Sequence, residues 1–193
     1  IGGRTHQGAL TVRILRGQWV IVFPRTAGFA PAGASDFIAF ARARPRFRAG
    51  TCALVGLSID SLPSRLAWVD AIRAQFGVVV PFPVVEDPSM VIGRAYGMLD
   101  VDARNSATVR AAYFIDPHGI VRVITWYPAT VGRSVAEMLR VLRALQRVER
   151  GDVMTPEGWM PGADVVLPAG QTYDEVMAAG PDWFMNMQPD DEA

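Results

Sequence analysis

The chain of 193 residues carries 19 basic and 19 acidic side chains, so its formal charge is zero and a broad polyanion-binding surface is excluded. Every basic residue is arginine; without lysine there is no Schiff-base chemistry, no phosphate-loop lysine and no lysine general base. A single cysteine, Cys52, rules out an internal disulfide or a paired-cysteine redox or metal centre, and His6 and His118 alone are too few for a histidine-rich metal site.

Half of the residues are apolar, as in a globular domain, and the length suffices for one buried core plus an appendage. No apolar run reaches the length of a membrane span and no signal peptide is visible, so neither membrane nor nucleic acid is an expected partner and the cytoplasm is the expected compartment. The sequence opens on Ile1 rather than methionine, which leaves room for native residues ahead of it. No cofactor and no metal are expected.

In chain order, a Gly-containing turn and alternation over residues 5–12 predict a hairpin, and the continuous apolar run 19–23 predicts a strand buried on both faces. A loop rich in Gly, Ala and Pro then leads into a helix over 34–48, with Ser35 and Asp36 near its start and its first amides free to face a ligand. Residues 51–59 read as a second buried strand and 64–76 as a helix with Leu66, Val69, Ile72 and Phe76 on one face. Pro81, Pro83 and Pro88 bracket a short edge-type strand, followed by a helix near 89–96 that ends at Gly97. The strands 110–115 and 121–126 form a hairpin through Asp116-Pro117-His118-Gly119, and 134–148 is an amphipathic helix with Arg140, Arg143 and Arg147 outward. This order predicts an α/β layered architecture with a mixed sheet.

The chain divides by character into a core, 1–148, and an arm, 149–193. In the arm Pro156, Pro161, Pro168, Pro181 and Pro189 break any long element, while Trp159, Trp183, Phe184, Met185 and Met187 supply apolar anchors. Such an arm is expected to wrap a second subunit.

The stretch Phe23-Pro24-Arg25-Thr26-Ala27-Gly28-Phe29-Ala30-Pro31-Ala32-Gly33-Ala34-Ser35-Asp36 resembles the active loop of the peroxiredoxin family, Pro-x-x-x-Thr-x-x-Cys. On that pattern Thr26 stands in place of the proline, Ala30 of the threonine, and Gly33 of the peroxide-attacking cysteine. Gly56-Leu57-Ser58-Ile59-Asp60-Ser61, Pro81-Phe82-Pro83, 109–116, 126–133, Thr155-Pro156-x-x-Trp159 and Asp182-Trp183-Phe184 resemble further segments of the one-cysteine branch, in order along nearly the whole chain. The resemblance implies a thioredoxin-like mixed sheet flanked by helices, an irregular C-terminal dimerisation arm, and a homo-oligomer that is a dimer or a ring of dimers. It also implies that Arg110 and Arg133 are the family's arginine pair and that Asp36 orients Arg110.

The residues themselves sharpen this. Arg110 opens an otherwise apolar strand and must be paired, either in a structural ion pair with Asp36 or as a ligand clamp. Arg25 reads as a solvated loop arginine or as a second positive charge at the mouth. Gly33 and Gly28 are turn glycines, or else they open volume beside the helix amides. Cys52, inside an apolar strand, reads as a core thiol, and His6 and His118 as a lead-in and a turn residue.

A thiol peroxidase needs an ionised sulfur, which glycine does not supply. The expected function is therefore that of a repurposed, cofactor-free enzyme binding a small, anionic metabolite in the former peroxide pocket. In it Arg110 and Asp36 are catalytic, and Arg25, Thr26, Ala30, Gly33 and Arg133 bind the substrate. A non-catalytic oligomeric scaffold or regulatory subunit is the alternative, and a remaining peroxide reductase the third reading.

Overall fold

The structure, a computed structural model, describes residues 2–25, 31–98, 110–128 and 130–190, apart from the side chain of Val12. Two compact units divide between Val135 and Ala136.

The first unit opens with the expected hairpin: β1 (Gly2–Thr5) and β2 (Gly8–Thr11) pair antiparallel. Its turn is closed by the Thr5 hydroxyl, which donates to the Gly8 carbonyl at 2.7 Å. Next come β3 (Trp19–Arg25), α1 (Pro31–Ala49), β4 (Cys52–Ser58), α2 (Leu62–Phe76), β5 (Val84–Glu86), α3 (Val91–Ala95), β6 (Arg110–Ile115) and β7 (Val121–Tyr127). Helix α1 starts earlier than the apolar period predicts, because Pro31 is well suited to a first helical position. In the turn between β6 and β7, Asp116 Oδ1 accepts from the amides of His118 and Ile120, and Gly119 takes a positive φ of 89°.

The sheet order is β5-β4-β3-β6-β7, with β3, β4 and β5 parallel and β6 and β7 antiparallel to their neighbours. As the prolines predict, β5 lies at an edge. On one face of the sheet Phe23, Phe37, Phe40, Phe47, Phe82 and Trp68 pack ring on ring, with Phe23 stacked on Phe40 at 4.2 Å and Phe37 edge-on to Trp68 at 5.0 Å. On the other, Val20, Val22, Val55, Leu57, Val85, Ala111 and Tyr113 meet Met98, Leu10 and Tyr96. The alternation along β3 and β4 thus fills two layers at once, which is why those strands read as unbroken apolar runs.

The second unit contains most of α4 (Val135–Arg147), then β8 (Val165–Val166), α5 (Tyr173–Ala179) and β9 (Met187–Gln188). Val153, Trp159 and Val165 form its small core, joined by Ala144 of α4 and by Leu167. The arm is less irregular than its prolines suggest. Helix α5 is set by a capping box, in which Thr172 and Glu175 each bond the other's backbone amide.

Among the described residues no helix is long and apolar enough to cross a membrane.

Candidate functional site

Because β3, β4 and β5 run parallel and β6 runs against them, the last residues of the first three and the first residue of β6 share one edge of the sheet. That edge carries Arg25, Ser58, Glu86 and Arg110. Chemistry-bearing side chains on four strands, far apart in sequence, are collected by topology alone.

Asp36, on the α1 turn that follows Gly33, is the centre of the group. Its Oδ2 accepts from Arg110 Nη2 and, at 2.7 Å, from Arg133 Nη1, while its Oδ1 accepts from the Arg133 amide at 3.0 Å. All three side chains are at most 2% exposed. Arg133 is anchored further by donating Nη2 to the carbonyls of Pro24 and Ala111 at 2.8 and 3.0 Å, and it lies 5.9 Å from the Phe23 ring. Burial pushes its guanidinium below the ordinary value, with the charge and hydrogen bond of Asp36 acting in the opposite sense. Arg110 also donates to the Ala32 carbonyl at 3.3 Å. Its charge is thereby held against the first turn of α1, one residue from Gly33, where the dipole and end amides of a helix already favour an anion. Gly33 itself is buried.

The sequence expectations therefore divide. Arg110, Asp36, Arg133 and Gly33 are brought together, whereas Thr26 and Ala30 lie outside the described residues. Arg25 is neither in a loop nor solvated. As the last residue of β3 it is 3% exposed, pairs with Asp60, reaches Ser58 Oγ at 3.4 Å and stacks 4.2 Å over Trp68. The continuous apolar strand extends through it because an aromatic face and a carboxylate can bury a guanidinium where water cannot. Burial first, and then the charge of Arg65, lower its pKa to about 10.

Cys52 faces Trp19 at the start of β4, six residues from Ser58 and thus about 20 Å along the strand from the edge that holds Arg110. Its thiol is buried and makes no disulfide. His118 sits in the exposed β6–β7 turn, and His6 rests against the Val80 carbonyl. Asp60, Arg65 and Trp68 were not singled out from the sequence. The available signal was their spacing, since Arg65 and Trp68 lie one helical turn apart beyond a strand that ends in Ser-Ile-Asp.

Comparison with known proteins shows the family. Residues 4–124 match the model of the AhpC/TSA family and residues 144–179 that of the C-terminal domain of 1-Cys peroxiredoxin. The chain is 39% identical to Peroxiredoxin 2 of Caldanaerobacter subterraneus subsp. tengcongensis over 88% of its own length and 76% of that protein's. The chain belongs to the peroxiredoxin family. It is also 37% identical to a peroxiredoxin of Aquifex aeolicus, over 84% of this chain and 78% of that one. A solved yeast mitochondrial 1-Cys peroxiredoxin superposes with a TM-score of 0.88 at 29% identity, covering 98% of this chain and 95% of its own. A cysteine-to-serine mutant of peroxiredoxin 6 from Arenicola marina, 24% identical, shares the fold with a TM-score of 0.87 over 100% and 96% of the two chains. The thioredoxin-like mixed sheet flanked by helices is therefore this peroxiredoxin's architecture.

Proposed function

We propose that this peroxiredoxin does not reduce peroxide at the loop–helix site and instead binds a small anionic metabolite beside Gly33. The observation that carries the reading is the arrangement of Arg110. It shares the single carboxylate of Asp36 with Arg133 and donates to the Ala32 carbonyl in the first turn of α1, beside Gly33, which offers only hydrogen. Where a relative would place a thiolate, the guanidinium and the helix-end amides suit a carboxylate or similar anion.

Arg110 is the group that meets the ligand, and Asp36 and Arg133 position it. Both Asp36 oxygens already accept from arginine donors, which suits a fixed counter-ion better than a proton shuttle. Any reaction at the site rests on orientation and charge stabilisation without a cofactor.

Two measurements test this reading. Peroxide consumption with a thiol reductant stays at background, and catalytic consumption would overturn the proposal. In a Cys52→Ser background, Gly33→Cys creates a thiol whose pKa falls clearly below the ordinary value of about 8.5 if Arg110 and the helix end act on that point. An unshifted thiol, read by the pH dependence of its alkylation, contradicts an electrostatic site there.

A second reading, a non-catalytic homo-oligomer acting as scaffold or regulatory subunit, is supported by the apolar side chains left outside. Ile124 and Trp126 on the edge strand β7 are exposed, as are Trp183, Phe184, Met185 and Met187 in the second unit. A dimer or larger ring is the assembly proposed under either reading. Loss of small-anion binding with the assembly intact would favour this second one.

A further inference from the structure

Away from the Arg110 group, a second buried arginine lacks what a buried arginine needs. Arg65, in the first turn of α2, is 0% exposed, and its Nε, Nη1 and Nη2 have no hydrogen-bond acceptor among the described residues. The Glu86 carboxylate comes no nearer than 4.0 Å with Oε2, while its Oε1 is taken by Arg4 Nε. The charge of Arg65 also acts on Arg25 and on His6, and the His6 Nδ1 is buried without a partner among the described residues. Arg4 and Arg65 thus both approach the one carboxylate of Glu86, each on a different oxygen.

A guanidinium does not escape by losing its proton, and a buried charge persists only with an acceptor or counter-ion. The backbone adds to the demand. Helix α2 is capped at Ser61, whose hydroxyl makes no capping bond, so Arg65 sits in the first turn at the positive end of a 15-residue helix, and helical side chains lean toward that end.

We propose that Arg65 and the N-terminus of α2 form a second anion site, distinct from the Arg110 group, for a small oxyanion of the phosphate or carboxylate class. The planar fork, whose three nitrogens lack a hydrogen-bond acceptor among the described residues, matches two or three oxygens of one anion, and Glu86, its ion-pair partner at 4.0 Å, is the negative charge that an entering anion must displace or tolerate.

The experiment is thermal unfolding of the full chain in inorganic phosphate, in acetate and in sodium chloride at matched ionic strength. Phosphate or acetate is expected to raise Tm beyond chloride, by roughly 5–10 °C at a hundred times Kd, and the stronger of the two identifies the class. In a Gly33→Ala background, Arg65→Met abolishes the remaining response while keeping the apolar stem. Glu86→Gln tightens anion binding several-fold and serves as the test if Arg65→Met does not fold. No response beyond chloride in the wild-type chain overturns the site, as does unchanged affinity in Glu86→Gln. In Gly33→Ala the response persists if Arg65 carries it; its loss there assigns the anion to the Arg110 group instead and overturns this proposal alone.

Discussion

Asp36 is a single carboxylate answering for two buried arginines, and removing its charge takes that counter-ion from both. Asp36→Asn is expected to destabilise the fold by about 3–5 kcal/mol, the range for breaking a buried ion pair from one side, read from the urea midpoint at unchanged slope. Half of this was legible in the sequence, because an arginine opening an apolar strand demands a partner and Asp36 was the acid near the organising loop. The other half was not. Arg133 reaches Asp36 across 97 positions, and its remaining bonds go to main-chain carbonyls that no residue type announces. His6 adds a pH effect of defined sign. Burial lowers its pKa, so as pH falls through 6.5 the unfolded chain takes up the proton first and stability declines. Denaturation of wild type and His6→Gln at pH 7.5 and 5.5 is expected to show a smaller loss in the variant.

At the scale of elements, close approach decides more than propensity. A Cβ on Gly56 would lie 3.1 Å from both the Phe37 ring and a Val84 methyl, between strand β5 and helix α1. Gly56→Ala is expected to cost about 1–3 kcal/mol through forced displacement, seen as a lower Tm. The strands and long helices were readable because their apolar runs are long and their turns are marked by proline and glycine. The Arg25 end of β3 was misread as loop, since its burial depends on Trp68 and Asp60, which are contributed from elsewhere in the chain. In the arm the density of prolines obscured α5, although Thr172 and Glu175 stand at capping-box spacing. Thr172→Ala is expected to weaken that short helix by about 1 kcal/mol, detectable as faster amide exchange over 173–179 with the first unit unchanged.

For the whole molecule, the sheet separates two duties. One edge gathers Arg25, Glu86 and Arg110 from three strands, while the layers behind it are apolar throughout. The proposed assembly belongs to this scale as well. Sedimentation of the full chain is expected to give a dimer or larger species, and Trp126→Arg, which places a charge on the exposed face of β7, is expected to shift it toward monomer.

The solitary thiol has a practical corollary. With no other sulfhydryl to compete and Sγ shielded in the closed fold, a thiol-reactive dye should label Cys52 only when strand β4 lets go of its neighbours. Its labelling rate, followed against dye concentration, would then clock the opening of the central sheet, and Asp36→Asn or Gly56→Ala would alter that clock in proportion to how far it loosens those strands.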